Sequence, residues 1–275
     1  MKNYSPKLVL CDVDGTLFDR KDTMQPGHEE LQKMITEAEI PFTLASGRCL
    51  DNMKHLIDYL NIKIPVIVNN GTAILQNGEV LWEKQLCTAD LREAVELADR
   101  MGMLVSFYGA VEERVYRHNN YVQSYIERFG KSYTYILGEN EQADDKHWSK
   151  IKVQKILVID PDKKGRIDEI IEKIKNIENK SIVKYDERSI DIMPRSCTKE
   201  RGARILSQIM GISIEDVMAI GDNENDVEMI REVGIGVAVA NGTDRLKTVA
   251  DYVTAKSGVD GVAEAIGRFF CEKQK

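Results

Sequence analysis

The sequence predicts an α/β protein: a doubly wound, mostly parallel, Rossmann-like sheet that carries an inserted mixed α/β cap domain. Three observations lead there. Short β-rich runs alternate with amphipathic helical patterns through the first 70 residues, which is the texture of βαβ units. The same texture returns after residue 216, so the two ends are expected to share one sheet. Between them the order of elements changes, as it would in an insertion. The boundaries read from this are 1–83 for the first part of the core, 84–189 for the substrate-selecting cap and 190–275 for the second part of the core.

KLVLCD, PFTLAS and PVIVNN are the early strands, with helices starting near Pro26 and Leu50 between them. TAILQ and EVLWEK form a hairpin around Asn77-Gly78, a dipeptide suited to the positive φ angles of a two-residue turn. The late strands are DVMAIGD, GIGVAVA and ADYVTA, each followed by a helical pattern, the last from about Val259. In the middle segment helices fall near 88–101, 120–130 and 162–177, and strands near 103–109, 155–159 and 181–184. The acidic run GENEQADDKHW reads as a solvated loop and DPDKKGR as a solvated turn.

With 43% hydrophobic and 30% charged residues in 275, the composition is that of an ordinary soluble protein. The net charge of −7 argues against nucleic-acid and membrane-surface roles, because both want a basic face. It leaves a small phosphorylated metabolite open as partner, since local charge decides that. Five cysteines are scattered without metal-binding spacing and fit reduced thiols. No run approaches the roughly 18 apolar residues of a membrane span, and the N-terminus lacks a signal-peptide pattern, so a cytoplasmic location is expected. Oligomeric state is not legible.

Three apolar strands end in polar residues: LVLC runs into Asp12, FTLA into Ser46, and VMAI into Gly221-Asp222. Ligands of open parallel sheets bind outside the carboxyl ends of the strands, so these groups aim at one mouth. GDNENDVEM adds Asn225 and Asp226 at a helix start, where carboxylates suit the positive end of the dipole. If Asp12, Asp14, Asp222 and Asp226 converge, each pair about 5 Å apart repels by about 3 kcal/mol at an effective dielectric near 20. A cation must compensate them. Oxygen ligands without His or Cys suit Mg²⁺. A calcium loop is excluded because Val227 stands where it needs glycine, and a dinucleotide fingerprint because Val239 occupies its third glycine position.

Such a site holds the parts of phosphoryl transfer. Lys199 supplies the cation, Thr16 and Ser46 donate to phosphoryl oxygens, and the amides around Val13 and Gly47 line the pocket. Asp14 can protonate a leaving oxygen and then activate water. Arg48 either binds phosphate or pairs with an acidic neighbour. Asn241, in VANGTD, is a turn residue or a support of the site, and His118, His147, Trp148 and Tyr185 are substrate contacts or core and edge residues.

DVDGTL, LASGR, the lone Lys199 and GDNENDVEM fall in the order of the four motifs of the haloacid dehalogenase superfamily. VIVNNGTAI and VAVANGTDRLKTVADYVT resemble its Cof-type sugar-phosphatase branch. The resemblance implies Asp12 as nucleophile and Asp14 as general acid and base. It implies Mg²⁺ held by the Asp12 carboxylate, the Asp14 backbone carbonyl and Asp222, with Asp226 in support, and phosphate contacts from Ser46, Lys199 and Asn225. The implied activity is hydrolysis of a small phosphate monoester, a sugar phosphate or related phosphometabolite, through an aspartyl phosphate. A phosphomutase or phosphotransferase would use the same aspartate; a non-catalytic phosphometabolite sensor or a receiver-like signalling domain is the reading from another class. One departure from the pattern is that Glu200 and Arg201 separate Lys199 from Gly202.

Overall fold

The computed structural model describes residues 6–18, 23–129, 134–137, 144–162 and 165–271. Residues 138–143 of the expected acidic loop, and Lys163 and Lys164 of the expected basic turn, lie outside the described residues. The chain divides into two compact units: Met1–Arg48, Asn52–Trp82 and Thr198–Lys275 form the first, Cys49–Asp51 and Glu83–Cys197 the second.

In chain order the strands are β1 (Leu8–Cys11), β2 (Phe42–Leu44), β3 (Val66–Val68), β4 (Ala73–Gln76), β5 (Glu79–Glu83), β6 (Leu104–Tyr108) and β7 (Glu113–Val115). They continue with β8 (Thr134–Tyr135), β9 (Lys155–Ile159), β10 (Lys180–Lys184), β11 (Ser189–Pro194), β12 (Val217–Gly221), β13 (Ile235–Ala238) and β14 (Tyr252–Val253). The helices are α1 (Pro26–Glu37), α2 (Lys54–Tyr59), α3 (Arg92–Arg100), α4 (Asn120–Phe129) and α5 (Asp145–Trp148). They end with α6 (Ile167–Ile174), α7 (Lys199–Met210), α8 (Val227–Glu232), α9 (Asp244–Val249) and α10 (Gly258–Ile266).

The first unit is built on a parallel sheet of order β14-β13-β12-β1-β2. Its interior strand β1, LVLC, is buried along its whole length, as a continuous apolar run in a parallel sheet should be. Leu8 and Leu10 pack with Ala203 and Leu206 of α7 and with Val227 and Ile230 of α8. From β1 the chain moves out to β2 on one side, and later places β12, β13 and β14 on the other. The carboxyl end of β1 is therefore the switch point of the sheet, where such folds bind ligands.

PVIVNN is paired on both edges. Beside the end of β2 it runs parallel, through the Ala45–Ile67 bridge and the Ser46 amide donating to the Ile67 carbonyl at 3.0 Å, and on its other edge β3 pairs antiparallel with β4, in a small sheet of order β3-β4-β5. A run as short and apolar as VIV packs equally well either way, so its pattern does not reveal its partner. The β4–β5 turn is as expected, with Asn77 and Gly78 at φ 51° and 83°.

The second unit is a six-stranded sheet of order β10-β11-β9-β6-β7-β8. One face, with Val105, Phe107, Ile156, Val158, Ile190 and Ile192, packs against α3 and α6. Trp148 is buried in that core. The unit runs to Cys197, past the expected boundary at 189, because β11 is hydrogen-bonded antiparallel to both β9 and β10. Among the described residues no helix is long and apolar enough to cross a membrane.

Candidate active site

Asp12 directly follows β1, and its amide donates to the Ile220 carbonyl of β12 at 2.9 Å. The residue is 3% exposed. Lys199, as buried as any residue of the core, donates to Asp12 Oδ1 and, at 2.7 Å, to Asp226 Oδ1. This lysine opens α7, where a helix dipole disfavours a cation. The two carboxylates it holds offset that position. Thr198 caps the helix, its hydroxyl accepting from Arg201 N, and Gly202 lies so close to Ile67 and Gly71 that a Cβ would press on both. The glycine displaced in sequence from Lys199 thus still lets α7 approach the turn after β3.

Asp226 is fully engaged. Its Oδ1 holds Lys199, and its Oδ2 accepts from the amides of Asp222 and Asn223 at 3.1 and 3.0 Å. Asp222 accepts the Thr16 hydroxyl at 2.9 Å. Ligand oxygens of Asp12, Asp222 and Asp226 all lie within 4.8 Å of one another. Gly15, at φ 93°, is required here both by its backbone and because a Cβ would collide with the Asp222 carboxylate.

Asp14 stands apart from that cluster. Its half-exposed carboxylate is forked by Arg48, with Nε at 3.1 Å from both oxygens and an outer nitrogen at 2.5 Å. The buried Ser46 hydroxyl accepts from the Arg48 amide at 3.2 Å. Val13 is buried, its carbonyl accepting from Leu17 and Phe18, and Gly47 adjoins Asn70.

Two asparagines complete the arrangement. Asn70 had no role in the sequence reading. It is buried in the left-handed conformation, φ 56°, between Asn69 and Gly71, which are left-handed too. Its amide donates to the Ser46 carbonyl at 2.8 Å, and its side-chain oxygen accepts from Asn225 at 3.2 Å. One residue therefore joins the loop after β2 to the loop after β12. The signal available was NNG directly after a strand, since asparagine tolerates αL better than other side chains. Asn241 donates to the Gly15 carbonyl at 2.8 Å and accepts from Gly258 N at 2.9 Å, so it braces the Asp12–Thr16 loop.

Three carboxylates against one ammonium leave the cluster over-negative. Burial, and next the Asp226 charge, push the Asp12 carboxyl well above its usual range despite Lys199. Burial pushes Asp222 up as well, against the Thr16 hydrogen bond and with the Asp226 charge. Burial works against the Lys199 ammonium, yet Asp12 and then Asp226 outweigh it and hold its pKa above the ordinary lysine value. An all-oxygen donor set with this surplus fits a divalent cation.

A family profile described as haloacid dehalogenase-like hydrolase matches residues 9–266. The chain belongs to that family. Such hydrolases generally use a divalent metal ion, and the carboxylate cluster is fitted to one. A phosphatase of Bacillus subtilis, the 5-amino-6-(5-phospho-D-ribitylamino)uracil phosphatase YcsE, is 28% identical over 94% of each chain. A phosphoglycolate phosphatase of Methanosarcina acetivorans is 26% identical over 94% of this chain and 95% of its own. A haloacid dehalogenase-like hydrolase from Bacteroides thetaiotaomicron superposes with a TM-score of 0.79 at 26% identity, over 96% of this chain and all of that one. With these relatives, the chain is a phosphatase-type enzyme of the family.

Proposed function

We propose that the enzyme hydrolyses a small phosphate monoester, with Mg²⁺, through a phosphoryl group carried on Asp12. The observation behind this is the setting of the Asp12 carboxylate: at the switch point of the sheet, gripped on one oxygen by Lys199 and facing Asp222. Asp12 and Asp222, with the Asp14 carbonyl, would hold the metal, while Asp226 stands behind them with both oxygens engaged. A magnesium ion held by these groups would supply positive charge to the carboxylates and to the phosphoryl oxygens.

An Asp12 oxygen attacks phosphorus as the ester P–O bond breaks, and Asp14 gives its proton to the departing oxygen. Water then attacks the aspartyl phosphate, Asp14 takes the water proton, and the Asp12–phosphorus bond breaks to release inorganic phosphate. To carry protons, Asp14 leaves the Arg48 fork. Thr16, Ser46, Asn225 and the amides near Val13 and Gly47 position the phosphoryl oxygens, and Lys199 balances charge on the nucleophile. The second unit selects the leaving group. The relatives named for a phosphoribityl compound and for phosphoglycolate support a small metabolite ester as substrate.

The test is phosphate release from a panel of sugar, sugar-alcohol and carboxylic-acid phosphates, with Mg²⁺ and with EDTA. Release that requires Mg²⁺ is expected. An isomerised ester without free phosphate would favour a mutase, and no turnover of any ester a sensor.

A further inference from the structure

We infer that Asn70 is a positioning residue of the phosphoryl pocket: without touching substrate, it sets the peptide that carries the Gly47 amide through its left-handed backbone, and the Asn225 side chain through its own amide. This rests on the phosphatase reading and adds a residue to its machinery. Every group involved belongs to the first unit.

Asn69, Asn70 and Gly71 follow β3 with φ of 49°, 56° and 87°. Outside glycine this region is uncommon, and such residues persist where their surroundings over-determine them, above all at functional sites. Contacts with three elements do so here. The first is the loop after β2. Ser46 is tied at both ends of its backbone, its amide donating to the Ile67 carbonyl at 3.0 Å and its carbonyl accepting from the Asn70 amide at 2.8 Å. The Arg48 carbonyl accepts from the Asn69 amide at 2.9 Å. In a planar trans peptide a carbonyl and the amide that follows it point in opposite directions. Asn70 draws the Ser46 carbonyl toward the turn, so the Gly47 N–H is directed away from it. A donor to phosphoryl oxygen gains its effect from being fixed in this way before the substrate arrives.

The second element is the loop after β12. Asn70 Oδ1 accepts from Asn225 Nδ2 at 3.2 Å, and with one N–H of that amide held, the direction of the other is set. A Cβ on Gly47 would stand 3.2 Å from Asn70 Oδ1 and 3.3 Å from Nδ2, so the glycine makes room for this side chain. The third element is α7, because a Cβ on Gly71 would collide with the Thr198 carbonyl oxygen, next to Lys199. Asparagine suits the place for two separable reasons. Its short amide tolerates the left-handed backbone, and it offers an acceptor at the reach of Asn225. Glycine keeps the first property and loses the second; alanine loses both.

The experiment measures kcat and KM with Mg²⁺ for the wild type, Asn70→Gly, Asn70→Ala, Asn225→Ala and the double variant Asn70→Gly with Asn225→Ala. The probe is p-nitrophenyl phosphate or, should the wild type ignore it, the ester of the panel above that it turns over fastest. Asn70→Gly is expected to lower kcat by about tenfold, with KM changed by less than about threefold and a melting temperature near that of the wild type. Asn225→Ala should lower kcat by about a hundredfold, as for loss of a donor to the phosphoryl oxygens. The double variant should then be no slower than Asn225→Ala, because the two side chains act as one unit. Asn70→Ala should be about threefold slower again than Asn70→Gly and melt lower, since the turn itself is strained. Asn70→Ser, too short to reach Asn225, replaces Asn70→Gly in the cycle if that variant fails to fold. Losses that multiply in the double variant, or an Asn70→Gly enzyme with wild-type kcat, overturn the assignment and leave the phosphatase reading standing. A wild type that releases phosphate from no ester removes both.

Discussion

The two units each bury charge, and they balance it differently. In the first, Asp12, Asp222 and Asp226 crowd round a single ammonium, Lys199, and the excess is negative. In the second, Lys155 and Asp191 cancel. Taking charge out of water costs several kcal/mol per ion unless the site returns it. A balanced pair returns it internally; an unbalanced cluster must borrow a cation. The comparison separates a cluster fitted to an ion from a pair whose charges cancel.

The largest effect should follow Asp12→Asn. Turnover is expected to fall by about 10⁴-fold or more, as for loss of a nucleophile. The melting temperature in EDTA should hold or rise, because one of three crowded carboxylates becomes neutral. Retained turnover would remove Asp12 from the chemistry, and a marked loss of stability would mean the cluster is not over-negative.

Lys199→Met comes next. It strands Asp12 and Asp226 without a counter-charge and should cost about 3–5 kcal/mol in urea unfolding. In the second unit the double change Lys155→Met with Asp191→Leu should cost far less than either single change, because both charges leave together. Equal costs for the double and the single changes would erase the contrast. A smaller effect belongs to the metal: Mg²⁺ at about 100 times its Kd should stabilise the wild type by about 2.7 kcal/mol. Asp222→Asn should lose most of that shift in a calorimetric melt, and a full shift in the variant would place the ion elsewhere. Asn241→Ala, which frees the Gly15 carbonyl, should cost about 1 kcal/mol and lower kcat more than it raises KM.

Much of this was legible in the sequence because parallel strands announce themselves. LVLC, FTLA and VMAI are unbroken apolar runs, and each meets a polar residue at the point where the sheet ends. Their convergence at β1 follows from the switch in strand order. Other parts depend on contacts the chain does not spell locally. Ser189–Pro194 contains a charged residue, Asp191, and ends in proline, a pattern that does not announce a strand; its pairing on both sides makes it one. Asn70 carries no mark of its role in the sequence because its partner Asn225 lies far along the chain, and its left-handed backbone is a tertiary property. The Asp14–Arg48 fork was one of two open readings, since an arginine beside a phosphate site carries no mark of which anion it holds.

Glu264 of α10 offers a third way of holding a carboxylate, and the smallest expected effect. Among the described residues it forms no salt bridge; the Tyr252 hydroxyl donates at 2.6 Å, and the amides of Ala255 and Lys256 at 2.9 and 3.0 Å. Burial alone would push this carboxyl up, but the Tyr252 hydrogen bond and then the two amides outweigh it and hold its pKa below the ordinary value. The folded state therefore binds that proton less readily than the unfolded chain does. Its contribution is fully present above the unfolded value of about 4.3 and is lost as pH falls through the lower folded value. Glu264→Gln should cost about 1 kcal/mol at neutral pH, with the gap to wild type closing in acid. Urea titrations of both proteins from pH 7 to pH 3 measure it. A gap that stays constant would mean that shape, not charge, fixes this helix to the loop before it, and that neutral donors do not substitute for an ion.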